Sequence, residues 1–211
     1  METKRDIRAR ILEKRTHMTQ EEWEFKSDLI VKRLMEHPFF VEAREIYCYM
    51  DYRREVGTRR IIEKAWELNK KTAVPKVCGD DMEFYYVQRF DELEKGYSGI
   101  WEPVTKKKAK GDSVLVLLPG SAFDRNRNRI GYGKGFYEEL AEILEIDEKG
   151  ISKDGKILLT TKRCFGRCNL IKHQQYRTLA LAFEFQVVDS IPTDSYDIRP
   201  DGIITEETYY V

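Results

Sequence analysis

No stretch of this chain approaches the ~18 consecutive apolar residues of a membrane span, so no membrane association is expected. Net charge is absent too: Lys+Arg and Asp+Glu are both 37 in 211 residues. Without a global basic bias there is no argument for a nucleic-acid partner or an anionic membrane surface. Cysteine is sparse. Cys48, Cys78, Cys164 and Cys168 make no dense framework, and a reduced cytoplasmic protein is the simple reading. The opening METKRDIRAR is charged and lacks an apolar h-region, so no secretory signal is expected. Two common nucleotide signatures are missing, the G-x-x-x-x-G-K-[ST] loop and the dinucleotide G-x-G-x-x-G.

What remains is 41% hydrophobic and 12% aromatic residues. That suffices for one domain with a substantial core. The most informative stretch is VLVLLPGSAFDRNRNRIGYGKGFYEELAEIL, from Val114 to Leu144. Five apolar residues, Val114 to Leu118, predict a buried strand bounded by Pro119-Gly120. Phe136, Leu140, Ile143 and Leu144 fall at helical spacing. Between them lies Gly131-Tyr132-Gly133-Lys134-Gly135. A strand, a glycine loop and a helix are the layout in which backbone N–H groups converge on an anion. Arg125, Arg127, Arg129 and Lys134 lie within ten residues of one another, more positive charge than a structural turn needs.

Around this stretch, periodicity predicts helices over 3–16, 19–37 and 58–69, and strands over 45–50, 72–77, 82–88, 178–183 and 202–205. Thr19 with Glu22 fits a capping box, and Pro38 follows the helix stop. Ile61, Ile62, Ala65 and Leu68 are expected to face inward. The lysine-rich segment 105–112 reads as a solvated loop. Strands alternating with helices predict a three-layer α/β/α fold with a largely parallel sheet, whose ligands gather at the carboxyl ends of strands.

PGSAFDRNRNRIGYGKGFYE resembles the signature of the 5-formyltetrahydrofolate cyclo-ligases, or methenyltetrahydrofolate synthetases. In that family PG-x-x-F-D runs into R-[LI]-G-x-G-x-G-[YF]-Y-[DE]. Three other segments resemble the family: K-x-x-x-R at Lys4 and Arg8, G-[IV]-x-E-P at residues 99–103, and A-[FY]-x-x-Q…[IV]-P…D from Ala182 to Asp197. The resemblance implies ATP-dependent closure of 5-formyltetrahydrofolate to 5,10-methenyltetrahydrofolate, through a phosphorylated formyl group. It implies an ATP site of Lys4, Arg8, Arg129, Ile130, Gly131, Tyr132, Gly133, Lys134, Gly135, Phe136 and Tyr137. The resemblance also implies that Lys134 and Arg129 carry the transfer. It further implies a folate site of Met50, Glu55, Trp101 and Tyr137, and Mg²⁺ held by Glu138 and Asp197. Relatives more often carry aspartate at position 138 and Arg or Gly at 132. A monomer acting on folates, polyglutamylated or not, is expected.

Residues 145–176 depart from the family pattern and read as a surface insertion within a single domain of residues 1–211. Cys164-x-x-x-Cys168 with His173 invites a zinc reading, but a fourth ligand is not evident. Two other readings compete. One is an RNA-binding module, from the arginines interleaved with Tyr132, Phe136 and Tyr137; neutral charge and the lack of an RRM or KH signature argue against it. The other is a nucleotide-binding protein of the same fold without cyclo-ligase activity.

Lys134 supplies the first test. A charge-assisted hydrogen bond to phosphate contributes roughly 1.5–3 kcal/mol, or about 10- to 150-fold in rate. Lys134→Met is expected to lower kcat/KM by about that factor with little change in melting temperature. Lys134→Arg should rescue only in part, because a planar fork does not replace a mobile ammonium. Steady-state kinetics with ATP varied, beside thermal melts, measure both.

Overall fold

The computed structural model describes residues 2–79, 81–111, 113–131, 176–193 and 197–211. The chain opens with a helix because Thr3 and Asp6 cap each other: the Thr3 hydroxyl accepts from the Asp6 N–H, and the Asp6 carboxylate accepts from the Thr3 N–H. The helix, α1, spans Lys4–His17 and buries Ile7, Ile11 and Arg15. Helix α2, Gln20–Glu36, starts where the Thr19 side chain accepts from the Glu22 N–H, and it buries Ser27, Ile30, Val31 and Leu34. Pro38 does not merely follow a stop. It opens the short helix α3, Pro38–Glu42, at the first position, where its missing N–H costs nothing.

Three further elements build one wing of the sheet. They are β1 (Glu45–Tyr47), α4 (Arg59–Glu67) and β2 (Lys71–Cys78). Helix α4 buries Ile61, Ile62 and Ala65 as its spacing predicts, but Leu68 is exposed. Leu68 is the C-cap residue, so the helix ends before it can turn inward. Strand β3 (Asp81–Val87) runs antiparallel beside β2. A separate hairpin follows, β4 (Leu93–Lys95) with β5 (Trp101–Pro103). Of the segment 105–112 the described part, residues 105–111, is not a free solvated loop. Its lysines are exposed, but the Tyr86 N–H donates to the Lys107 carbonyl, the Ala109 N–H donates to the Phe84 carbonyl, and Ala109 is buried. The segment covers the edge of β3 and thereby satisfies groups that an open edge would leave unpaired.

The second wing begins with β6 (Val114–Leu118), buried at every residue. It continues through β7 (Ala122–Asp124), β8 (Arg129–Ile130), β9 (Tyr176–Leu181), β10 (Val187–Val188), β11 (Gly202–Ile204) and β12 (Tyr209–Tyr210). The seven-stranded sheet has the order β12-β11-β9-β6-β1-β2-β3. Its inner five strands are parallel and its two edges antiparallel. The expected largely parallel α/β sheet with flanking helices is therefore present. Ile30, Leu34, Phe40, Ile61 and Ile62 from the helices pack with Ile46, Val74, Leu115, Leu117, Leu179 and Ile204 from one face of the sheet. Tyr47, Ala73, Val114, Val116 and Ala180 line the other face, with Phe123 and Ala109 against them. The helix expected around Phe136 to Leu144 lies outside the described residues. So does the segment expected to be an insertion, up to Tyr176, which opens β9.

The order of the strands sets the position of any site. From β1 the chain passes through α4 to β2 on one side; from β6 it proceeds to β9 and β11 on the other. Strands β1 and β6 are neighbours, with Glu45 opposite Val114 and Tyr47 opposite Val116. Their carboxyl ends therefore flank the topological switch point of the sheet, where open α/β sheets leave a crevice.

After β6 the chain turns through Gly120 onto the small sheet β10-β7-β8. A Cβ at Gly120 would stand 2.4 Å from the Phe123 ring carbon Cζ. The fully buried ring of Phe123 fills that space instead. Gly120→Ala is therefore expected to lower stability by about 1–3 kcal/mol, the cost of overpacking a filled core, measured as a lower midpoint in urea unfolding at unchanged slope.

Candidate active site

The two loops beside the switch point are held in different ways. Loop 119–131 is held by side chains that satisfy its backbone. Gln186 donates from Nε2 to the Gly120 and Ser121 carbonyls at 3.0 Å each, and its Oε1 accepts from the Phe183 N–H. Asp124 accepts from the N–H groups of Asn126, Asn128 and Ile191, and from the Asn128 side-chain amide. Arg129 is only 2% exposed and donates from Nη1 to the Pro119 carbonyl. Its charge thus sits beneath the loop rather than in solvent. Phe123, Asp124 and Gln186, which the motifs singled out, act here as scaffold.

Helix α1 brings the chain start to this loop. Ile7 and Ile11 pack with Ala122, Ile130 and Ile191. That docking sets Arg8 beside the glycine loop, where its Nε donates to the Gly131 carbonyl at 3.0 Å. Lys4 Nζ reaches Asp197 Oδ2 at 2.5 Å. The structure therefore gathers Lys4, Arg8, Arg129, Ile130, Gly131 and Asp197, residues far apart in sequence. Tyr132, Gly133, Lys134, Gly135, Phe136, Tyr137 and Glu138 lie outside the described residues, as do Cys164, Cys168 and His173. Among the described residues no three His, Cys, Asp or Glu side chains form a metal-sized group. Asp197 supplies a carboxylate beside Lys4. That fits Mg²⁺ arriving on a nucleotide, since this ion keeps its waters and takes one or two carboxylates plus phosphate oxygens.

The same helix grips the other loop. Arg15, fully buried, donates from Nη2 to the Tyr52 carbonyl at 3.0 Å and to the Arg53 carbonyl at 2.5 Å. Arg53 and Arg54 both have positive φ, uncommon for residues with a Cβ, so the loop between β1 and α4 is bent sharply. Arg15 follows Arg8 by seven positions, about 10 Å along a helix axis. One helix thus ties both loops at the switch point.

Beside the 48–58 loop opens a cavity of about 390 Å³, within the size range of small-molecule sites. Its walls are Trp23, Val31, Met50, Phe90, Leu93 and Trp101, with Ser27, Asp51, Gly57, Arg59 and Arg60 among the lining residues. Met50 and Trp101, two of the expected folate residues, therefore share one cavity. Trp101 is 44% exposed. It is presented by the β4–β5 hairpin, which is tied to β2: Glu102 accepts from the Val77 N–H, and Lys76 donates to the Pro103 carbonyl. A Cβ at Gly96 would stand 2.2 Å from the Glu102 carboxylate, so the glycine lets that anchor lie flat.

Glu55 sits in the expected strand-to-helix turn, but it is 7% exposed and does not line the cavity. Its carboxylate accepts from the Tyr52 N–H at 2.8 Å. Its backbone carbonyl accepts from the Trp23 indole N–H at 2.6 Å. Trp23, Ser27 and Asp51 escaped the sequence reading. Trp23 and Ser27 stand one turn apart on α2, and only the fold turns that face toward the β1–α4 loop. Cys48 is fully buried just after β1, and burial pushes its thiol well above the usual range, with Asp51 adding in the same direction. A thiolate nucleophile is not available there.

Comparisons with known proteins bear on this geometry. The model of the 5-formyltetrahydrofolate cyclo-ligase family matches residues 1–164. The mouse 5-formyltetrahydrofolate cyclo-ligase is 24% identical, over 97% of this chain and 94% of its own length. A probable 5-formyltetrahydrofolate cyclo-ligase of Schizosaccharomyces pombe is 27% identical, over 84% of this chain and 82% of its own. The solved structure of Aquifex aeolicus 5,10-methenyltetrahydrofolate synthetase superposes with a TM-score of 0.74 at 26% identity, covering 98% of this chain and 91% of that one. The Mycoplasma pneumoniae synthetase shares the fold at a TM-score of 0.64 and 19% identity, covering 96% of this chain and 98% of that one. With the family model spanning most of the chain, this protein belongs to the 5-formyltetrahydrofolate cyclo-ligase family.

Proposed function

We propose that this chain converts 5-formyltetrahydrofolate and ATP to 5,10-methenyltetrahydrofolate, ADP and phosphate. The observation that carries the reading is the pairing of two loops at one switch point. One loop is basic and glycine-rich, the other borders an aromatic cavity, and α1 bridges them. A formamide oxygen is a poor leaving group. In the proposed course the formyl oxygen attacks the γ-phosphorus, and the resulting imidate phosphate is an activated carbon centre. N10 attacks that carbon, its proton is released, the ring closes and phosphate departs. The protein's work is positioning and charge neutralisation.

Lys4, Arg8 and Lys134 meet the phosphate charge in this reading, with the buried Arg129 beneath the loop. The backbone of Gly131 to Gly135, with Tyr132, Gly133, Phe136 and Tyr137, cradles the nucleotide. Asp197 and Glu138 would hold Mg²⁺, which supplies charge neutralisation between phosphate oxygens. Trp101 and Met50 pack on the flat pterin, while Glu55 braces the cavity wall through Tyr52 and Trp23. Arg59, stacked at 3.9 Å over Phe90, and Arg60 line the cavity and suit folate carboxylates, polyglutamylated or not. Among the described residues no helix is long and apolar enough to cross a membrane. A cytoplasmic monomer remains the working picture.

The assay is the gain of methenyl absorbance in the near-ultraviolet when formylfolate, ATP and Mg²⁺ are mixed with the protein. No absorbance gain from folded protein overturns the reading. Trp101→Ala should raise KM for formylfolate by about 2- to 13-fold, the equivalent of a lost stacking contact worth ~0.5–1.5 kcal/mol, with KM for ATP unchanged. Glu55→Ala removes the acceptor for the Tyr52 N–H and so loosens the cavity wall on the folate side only. Impaired use of formylfolate with normal ATP affinity is the expected result; weakened ATP binding removes Glu55 from the folate side.

A further inference from the structure

The cavity wall carries a carboxylate, Asp51, that lies outside the family motifs. We propose that Asp51 recognises the amino-pyrimidinone edge of the pterin, accepting hydrogen bonds from its 2-amino group and its neighbouring ring N–H. The inference rests on the folate reading of the cavity and adds its specificity-determining group.

Three observations carry it. Asp51 lines the cavity alongside the aromatic and aliphatic walls of Trp23, Met50, Phe90 and Trp101. One oxygen, Oδ1, is fixed: it accepts from the Thr58 N–H at 2.9 Å and the Thr58 hydroxyl at 2.8 Å, while the Asp51 N–H donates back to Thr58 Oγ1 at 3.2 Å. The other oxygen, Oδ2, has no hydrogen-bond partner among the described residues, and a carboxylate retains two acceptor sites on such an oxygen. The side chain is thus oriented by one oxygen and offers the other.

The competing carboxylates are differently placed. Asp28 is ion-paired with Arg60, and Glu24 is exposed and takes the Gln20 amide. Glu55 lies behind the wall with its oxygen on the Tyr52 N–H. A flat heterocycle whose edge presents two adjacent N–H donors matches a carboxylate held by Thr58 in a cavity with aromatic lining. Thr58, fully buried, is the positioning residue.

The test is binding of 5-formyltetrahydrofolate and of its 2-desamino analogue, followed by quenching of tryptophan fluorescence in wild type and Asp51→Asn. Asparagine keeps an acceptor for Thr58 and turns a donor toward the pterin donors. Wild type should bind the desamino analogue about 10- to 150-fold more weakly than the natural substrate, the range of a charge-assisted hydrogen bond. Asp51→Asn should bind the natural substrate more weakly by a similar factor, with ATP affinity and melting temperature unchanged, and should discriminate little between the two ligands. Equal affinity of wild type for both ligands overturns the proposal whatever the variant does. So does full discrimination retained in Asp51→Asn. If wild type binds and turns over neither ligand, the folate reading itself has failed; if it turns over formylfolate but Asp51→Asn is indistinguishable, only the role of Asp51 has.

Discussion

The site depends on the docking of α1 across the carboxyl ends of two neighbouring parallel strands. Ile7 and Ile11 bury against Ala122, Ile130 and Ile191, and truncating such a buried side chain costs about 2–5 kcal/mol. That apolar contact fixes the rotation of the helix. Rotation then decides the rest: Arg8 meets the Gly131 carbonyl, and Arg15 meets the carbonyls of Tyr52 and Arg53. A buried guanidinium without such carbonyls would be costly. Desolvation of Arg15 therefore makes the β1–α4 loop and the helix obligatory partners. Lifting α1 would release both loops at once.

Topology explains why a single helix suffices. Sheet order reverses between β1 and β6, so the loops that leave them diverge and open a crevice. The signature residues after β6 divide into two groups. Gly120, Phe123, Asp124 and Gln186 build the platform through a close ring contact and buried hydrogen bonds. Lys4, Arg8 and Asp197 arrive around its rim from both chain ends. The cavity beside the β1–α4 loop obeys the same division. Glu102 anchors the β4–β5 hairpin to β2, and Trp101 is what the hairpin presents.

Much of this architecture was legible. The all-buried β6 reads directly from five consecutive apolar residues, and the inward face of α4, Leu68 excepted, from its spacing, because local periodicity reports which side of an element is dry. It failed where a neighbour decided the outcome. Lysines 106–108 and 110 look like a solvated run, yet their backbone seals the edge of β3. Arg15 looks like one more cation on a charged helix, because nothing within α1 announces that two carbonyls some 37 residues away will surround it.

From the chain by itself came the fold class, and the family resemblance with the glycine loop, Lys4, Arg8, Met50, Glu55, Trp101 and Asp197 as candidates. Each depends on residue type and spacing, which survive without coordinates. Tertiary structure alone decided which of these share a space. It set Met50 and Trp101 in one cavity, turned Glu55 behind its wall, and brought Trp23, Ser27 and Asp51 to its surface. The physical reason is that a side chain's orientation is settled by burial and by hydrogen-bond partners remote in sequence. Asp51 is aimed by Thr58, and Trp23 by the carbonyl of Glu55. Such partners become neighbours only after the sheet has assembled and brought its crossing loops together.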